Sequence, residues 1–104
     1  MNEEYLIAYS IVNAVATKLN TPMCVILRPK TFGGVRSYKN PFQDITFKRA
    51  ICIHRILIEA GLTLKQTAIM FGITNHSTTI YYRTMYEDQL IINRNFKKMV
   101  RLAA

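Results

Sequence analysis

Asn75-His76-Ser77-Thr78 is the run in this chain best equipped for hydrogen-bond chemistry with an external partner. All four side chains are compact, polar and able to donate or accept. Asn pairs with the edge of an adenine, His donates or accepts, and a Thr methyl fits against the methyl of thymine. A helix enters a major groove only where the residues at its tip allow close approach, and this run does. The same residues also describe an ordinary N-cap and first helical turn, where Asn, Ser and Thr are common for backbone reasons alone. What surrounds them must decide between the two.

Other chemistry is thinly supplied. The chain has six carboxylates, and four of them form the adjacent pairs Glu3-Glu4 and Glu87-Asp88, which do not face one another on a helix. Two His and two Cys give no nucleophile–base–orienter set and no metal-ligand spacing. Neither an enzyme, a cofactor nor a metal site is expected. Cys24 and Cys52 sit in apolar stretches and are expected to be buried small hydrophobes. His54 is expected to be a core or boundary residue rather than a ligand.

Two helices are needed to present the polar run. Thr63 can cap a helix over residues 64–71 that Gly72 would end, and Asn75 can cap a longer one from His76 to about Gln89. A pair joined by a short turn containing glycine, the second opening on small polar residues, is the pattern of a helix-turn-helix. Thr79, Tyr82, Tyr86 and Leu90, with Met85 alongside, would face inward. Tyr81 would lie nearer the polar tip.

The remaining elements form the support. Residues 3–19 read as a helix, with Ile7, Ile11, Val15 and Leu19 four apart and Ala8, Val12 and Ala14 widening the apolar face. Thr21 can cap, and Pro22 fit the first position of, a short helix over 22–27. A third helix runs over 45–60 to Gly61 and is apolar around much of its circumference (Phe47, Ile51, Ile53, Ile56, Leu57, Ile58), as suits a central element. Arg55 and Glu59 mark its wet side. A last helix over 94–102 would turn Phe96, Met99 and Val100 inward and Lys97, Lys98 and Arg101 outward. The fold class expected is all-α, about six helices in one domain spanning 1–104, with a helix-turn-helix over 63–89.

Between the second and third helices, residues 28–44 lose all periodicity and carry two prolines, Gly33-Gly34 and four basic residues, Arg28, Lys30, Arg36 and Lys39. A loop this long is either a solvated insertion or a working one. Lys48 and Arg49 extend its charge, which favours a basic arm that orders on DNA, anchored by Phe32 or Tyr38. Fourteen Lys and Arg against six Asp and Glu leave a net charge of +8, the footprint of a polyanion partner. No apolar run is long enough to span a membrane. Met1-Asn2-Glu3-Glu4 is acidic where a signal peptide is basic, so a cytoplasmic, nucleoid-associated protein is expected.

The stretch from Leu64 to Tyr81, LKQTAIMFGITNHSTTIY, resembles the C-terminal DNA-binding domain of the bacterial replication initiator DnaA, whose pattern runs roughly S-L-x-E-I-G-x-x-F-G-G-R-D-H-[ST]-T-V-L-H. Ile11-Val12-Asn13-Ala14-Val15-Ala16 and Leu19-Asn20 are similar to that family's first helix. The resemblance covers nearly the whole chain, and its specific part is F-G-x-x-x-H-[ST]-T. It implies an all-helical monomer that binds an asymmetric, A·T-rich duplex box.

Position by position, the resemblance implies that Asn75, His76 and Ser77 read bases and that Thr78 holds a phosphate. It places Leu64 and Lys65 against the backbone, and Arg49, or Lys48 one residue away, on a phosphate. A loop arginine, Arg28 or Arg36, would enter the minor groove, and Tyr81 could touch a phosphate. Ile73, Thr74, Asn75 and Thr79 depart from the family's Gly, Arg, Asp and Val, and Asn for Asp adds a donor that shifts the preferred sequence. Arg55 and Glu59 stand where the family has apolar residues. No G-x-x-x-x-G-K-[ST] is present, so no nucleotide partner is expected. The function expected is sequence-specific duplex binding in replication or transcription control, with other replication or regulatory proteins as further partners. The alternative is a protein-interaction module on the same fold, its six tyrosines serving a partner surface.

Overall fold

Glu3 and Glu4 stand in the first turn of helix α1 (Glu3–Lys18) and Lys18 in its last, each sign favourable to the helix dipole. The computed structural model describes residues 3–28 and 41–104. Helix α1 buries Ala8, Ile11, Val12, Val15 and Ala16, a stripe at helical spacing, whereas Ile7, expected inside, is 42% exposed. Asn20 ends this element at φ 53°, with its amide donating to Thr17 O and that of Thr21 to Ala16 O. That is a Schellman closure built on asparagine, which tolerates the left-handed region better than other side chains do.

Helix α2 spans Met23–Leu27, with Pro22 as its N-cap at φ −59°, ψ 136°. The expected cap from Thr21 does not form: Pro22 holds the cap position, and the Thr21 hydroxyl donates to Leu19 O at 3.1 Å and accepts from Lys48 Nζ. Helix α3 (Pro41–Arg55) opens on a proline, four residues ahead of the expected start at Ile45, so residues 41–44 belong to a helix and not to the loop. It continues through a π-helical turn, Ile56–Ala60, and stops at Gly61, φ 72°. Phe47, Ala50, Ile51, Cys52, Ile53 and Ile56 are buried along it. Ile58, expected inside, points outward at 67% exposure, beside the Arg55–Glu59 ion pair at 2.9 Å.

Helix α4 (Leu64–Met70) begins at Thr63 with a reciprocal capping box: the Gln66 amide donates to Thr63 Oγ1 at 3.1 Å, and the Thr63 amide donates to Gln66 Oε1 at 3.0 Å. It ends in a second Schellman closure, with Gly72 at φ 69° donating to Ile69 O and Ile73 to Ala68 O. Helix α5 (His76–Ile92) runs three residues past its expected end. Asn93 then makes the whole corner. Its Oδ1 caps helix α6 (Arg94–Ala103) by accepting from the Phe96 amide, while its own amide donates to Gln89 O.

The described residues form six helices and no strand, an all-α architecture. Helix α3 lies at the centre and packs on α1, α2, α5 and α6. Phe96 wedges between α3 and α5, edge-on to Phe47 at 5.2 Å and to Tyr86 at 5.6 Å, and His54 stacks flat on Tyr86 at 3.7 Å. These aromatic contacts fix how α5 is held, and therefore where its amino end points. No helix is long and apolar enough to cross a membrane.

Candidate nucleic-acid interface

Helix α5 is anchored from behind. Thr79 and Tyr86 are buried and Tyr82, Met85 and Leu90 are half-buried against the core, the inward set that the periodicity implies. On the other side Asn75, His76, Ser77 and Thr78 are all exposed. The polar tip thus stands open to solvent on a rigid support. Asn75 Oδ1 accepts from the Ser77 amide at 2.9 Å, which uses one acceptor position and leaves the side-chain NH2 free to donate. The cap role and an outward role coexist in this residue.

Down the outer face of α5 the character changes. Tyr81 is 59% exposed, set edge-on to Tyr82 at 5.9 Å, and Ile80 and Thr84 flank it. Glu87 and Asp88 follow, both exposed. Their charge would repel phosphate at close range, and Arg83, also exposed, lies one turn before Glu87. Lys65 stands exposed in the first turn of α4, and Leu64 is half-buried beside it.

The arginines expected to meet phosphate divide. Arg49 is only 5% exposed, so the expectation that it holds a phosphate is corrected. Its Nη1 donates to Ile26 O at 2.8 Å and Leu27 O at 3.2 Å, and its Nη2 to Phe71 O at 3.3 Å. The guanidinium also lies over the rings of Phe71 and Tyr82, at 5.3 and 5.4 Å. It is an internal strut that joins the end of α2, the end of α4 and the inner face of α5. Lys48, the neighbouring choice, is half-buried and donates to Thr21 Oγ1 at 2.5 Å, at the corner between α1 and α2.

Arg28 is exposed, yet its Nη1 donates to Met70 O at 3.1 Å and its guanidinium lies against Gly72 so closely that a Cβ there would collide with it. It braces the turn between α4 and α5 from outside. Arg36, the other candidate for the minor groove, falls outside the described residues, as do Lys30, Lys39 and the anchors Phe32 and Tyr38.

No protein-family model, curated protein or solved structure matches this chain. The site is therefore characterised by its own geometry.

One further feature escaped the sequence. Cys24 is exposed, contrary to expectation, because α2 is too short to turn more than Ile26 fully inward. Cys52 is buried, and desolvation pushes its thiol up to about 12 against the opposing pull of Arg55 and Arg49. His54 lines a shallow groove with Leu57, Ile58, Arg83 and Glu87. Burial holds its pKa below the usual histidine value, with Glu87 and Glu59 working the other way. Among the described residues no three His, Cys, Asp or Glu come together as metal ligands would.

Proposed function

We propose that this protein binds duplex DNA sequence-specifically, as a stand-alone relative of the DnaA C-terminal domain, with α4 and α5 acting as a helix-turn-helix and no catalytic step. The observation that carries this reading is the exposure of Asn75, His76, Ser77 and Thr78 together at the tip of a helix whose opposite side is locked into the core. Such a tip enters a major groove with its side chains already placed, so little ordering is needed on binding.

In this reading Asn75 donates from its free NH2, His76 donates or accepts, and Ser77 reaches the next base. The Thr78 hydroxyl meets a phosphate at the amino end of α5, where the helix dipole favours negative charge. Leu64 and Lys65 approach the backbone on one side and Tyr81 on the other. Glu87 and Asp88 make the helix enter by its tip rather than lie along the groove.

A second reading, a protein-interaction surface, is favoured by one observation. Ile69 at 60% and Tyr81 at 59% exposure stand on these same two helices, with Ile80 at 36%. One experiment separates the readings. The chain is titrated at low salt against random duplexes, bound duplexes are selected, and the enriched box is tested with His76→Ala. DNA readout predicts an enriched box and a loss of roughly 1–3 kcal/mol in binding it. Weak, sequence-blind retention, or full affinity of the variant for the box, would instead support the interaction module.

A further inference from the structure

Helix α6 carries Arg94, Lys97, Lys98 and Arg101, all exposed, at spacings of three, one and three. On a helix those positions form a single stripe, because residues three and four apart lie one above the other. The helix contains no acidic residue. None of the four cations has an ion-pair or hydrogen-bond partner through its side chain among the described residues. The opposite side of α6 is fixed in the core by Phe96, fully buried, and Ala103, 2% exposed. The stripe therefore cannot turn away from solvent.

From this placement we infer that α6 is a second, sequence-independent nucleic-acid surface that takes the phosphate backbone of a duplex other than the one read by α5. The inference rests on the proposed reading only for that first duplex.

Position separates the two surfaces. Helix α6 begins at the far end of α5, some 25 Å along its axis from Asn75 at 1.5 Å per residue. Glu87 and Asp88 stand between them on α5, so a duplex following that helix from tip to stripe would meet two carboxylates.

The chemistry of the stripe selects its partner. A protein partner is held mainly by apolar and aromatic anchors at the centre of an interface; α6 has turned Phe96, Met99 and Val100 toward the core and leaves one large apolar side chain, Leu102, exposed beside the stripe. A membrane-surface helix needs its apolar side free for insertion, and that side is occupied here. Four cations against one exposed apolar side chain on the helix make charge the main attraction, which suits a duplex carrying a negative charge every ~1.7 Å along its axis.

The test uses the full chain. Beads carrying a duplex with the selected box are loaded with protein and offered a labelled duplex that lacks the box. The wild type is expected to capture the second duplex. A variant with Lys97→Gln and Lys98→Gln should capture at least tenfold less while binding the box with unchanged affinity, and Lys97→Arg with Lys98→Arg should restore capture. Circular dichroism establishes that each variant is folded. Binding of box-free duplex alone to immobilised protein, by wild type and by His76→Ala, separates the two readings. If no box is ever selected but this binding persists and falls with the glutamine pair, the α6 surface stands and the α5 reading is lost. Capture by the glutamine pair within twofold of wild type would overturn the inference. So would capture of polyglutamate of matched length as strongly as of the duplex.

Discussion

Thr79 is a residue whose side-chain chemistry carries a structural cost. It is fully buried and its hydroxyl has no hydrogen-bond partner among the described residues. Valine has nearly the same shape and no group to satisfy. Thr79→Val is therefore expected to raise stability by about 1 kcal/mol, seen as a higher urea midpoint at unchanged slope. A lower midpoint would mean that the hydroxyl is bonded in solution. Legibility at this scale varied with how local the cause was. The cap role of Asn75 and the Arg55–Glu59 pair depend on neighbours within four residues, and the sequence was sufficient for both. The environment of Arg49 depends on Ile26, Leu27 and Phe71, each more than twenty residues away, so its charge was visible and its burial was not. Cys24 was misplaced because apolar neighbours in sequence do not ensure burial in a one-turn helix.

Between elements, Arg49 does what a hydrophobic contact could not. Three carbonyl oxygens, of Ile26, Leu27 and Phe71, point inward at the ends of α2 and α4, where helical partners have run out. One guanidinium satisfies them together and lays its faces on Phe71 and Tyr82. Lysine has the charge but not the planar fork. Arg49→Lys and Arg49→Met are both expected to destabilise the fold by about 2–4 kcal/mol, because each leaves buried acceptors unpaired. Urea unfolding measures this. A phosphate-binding Arg49 would give the opposite pattern: unchanged stability with a shallower dependence of DNA affinity on salt. The order of the helices and most of their ends were legible, because Thr63, Asn75, Gly61 and Gly72 act within one turn of themselves. The start of α3 was not. Pro41 can open a helix or break one, and the loop-like residues before it favoured the wrong choice.

For the whole molecule, charge separates stability from binding. The chain carries +8, fourteen cations against six carboxylates, and Arg55 and Glu59 form an ion pair with each other. With more than two cations for every carboxylate, the surface cations repel one another on balance in the folded state, where they are closer together than in the unfolded chain. Salt screens that repulsion, with a Debye length falling from ~10 Å at 0.1 M to ~3 Å at 1 M. Raising sodium chloride across this range is expected to increase Tm by a few degrees. Duplex affinity should fall over the same range, linearly on logarithmic axes, as phosphates regain their counterions. The two trends have opposite signs because they act on the same exposed charges in different states. Alone, those charges are a liability that salt relieves; against a duplex they are the attraction that salt removes. Thermal melts and binding titrations in one salt series measure both. A Tm that falls with salt would show that the cations are paired within the fold, and the electrostatic basis of both proposed surfaces would go with it.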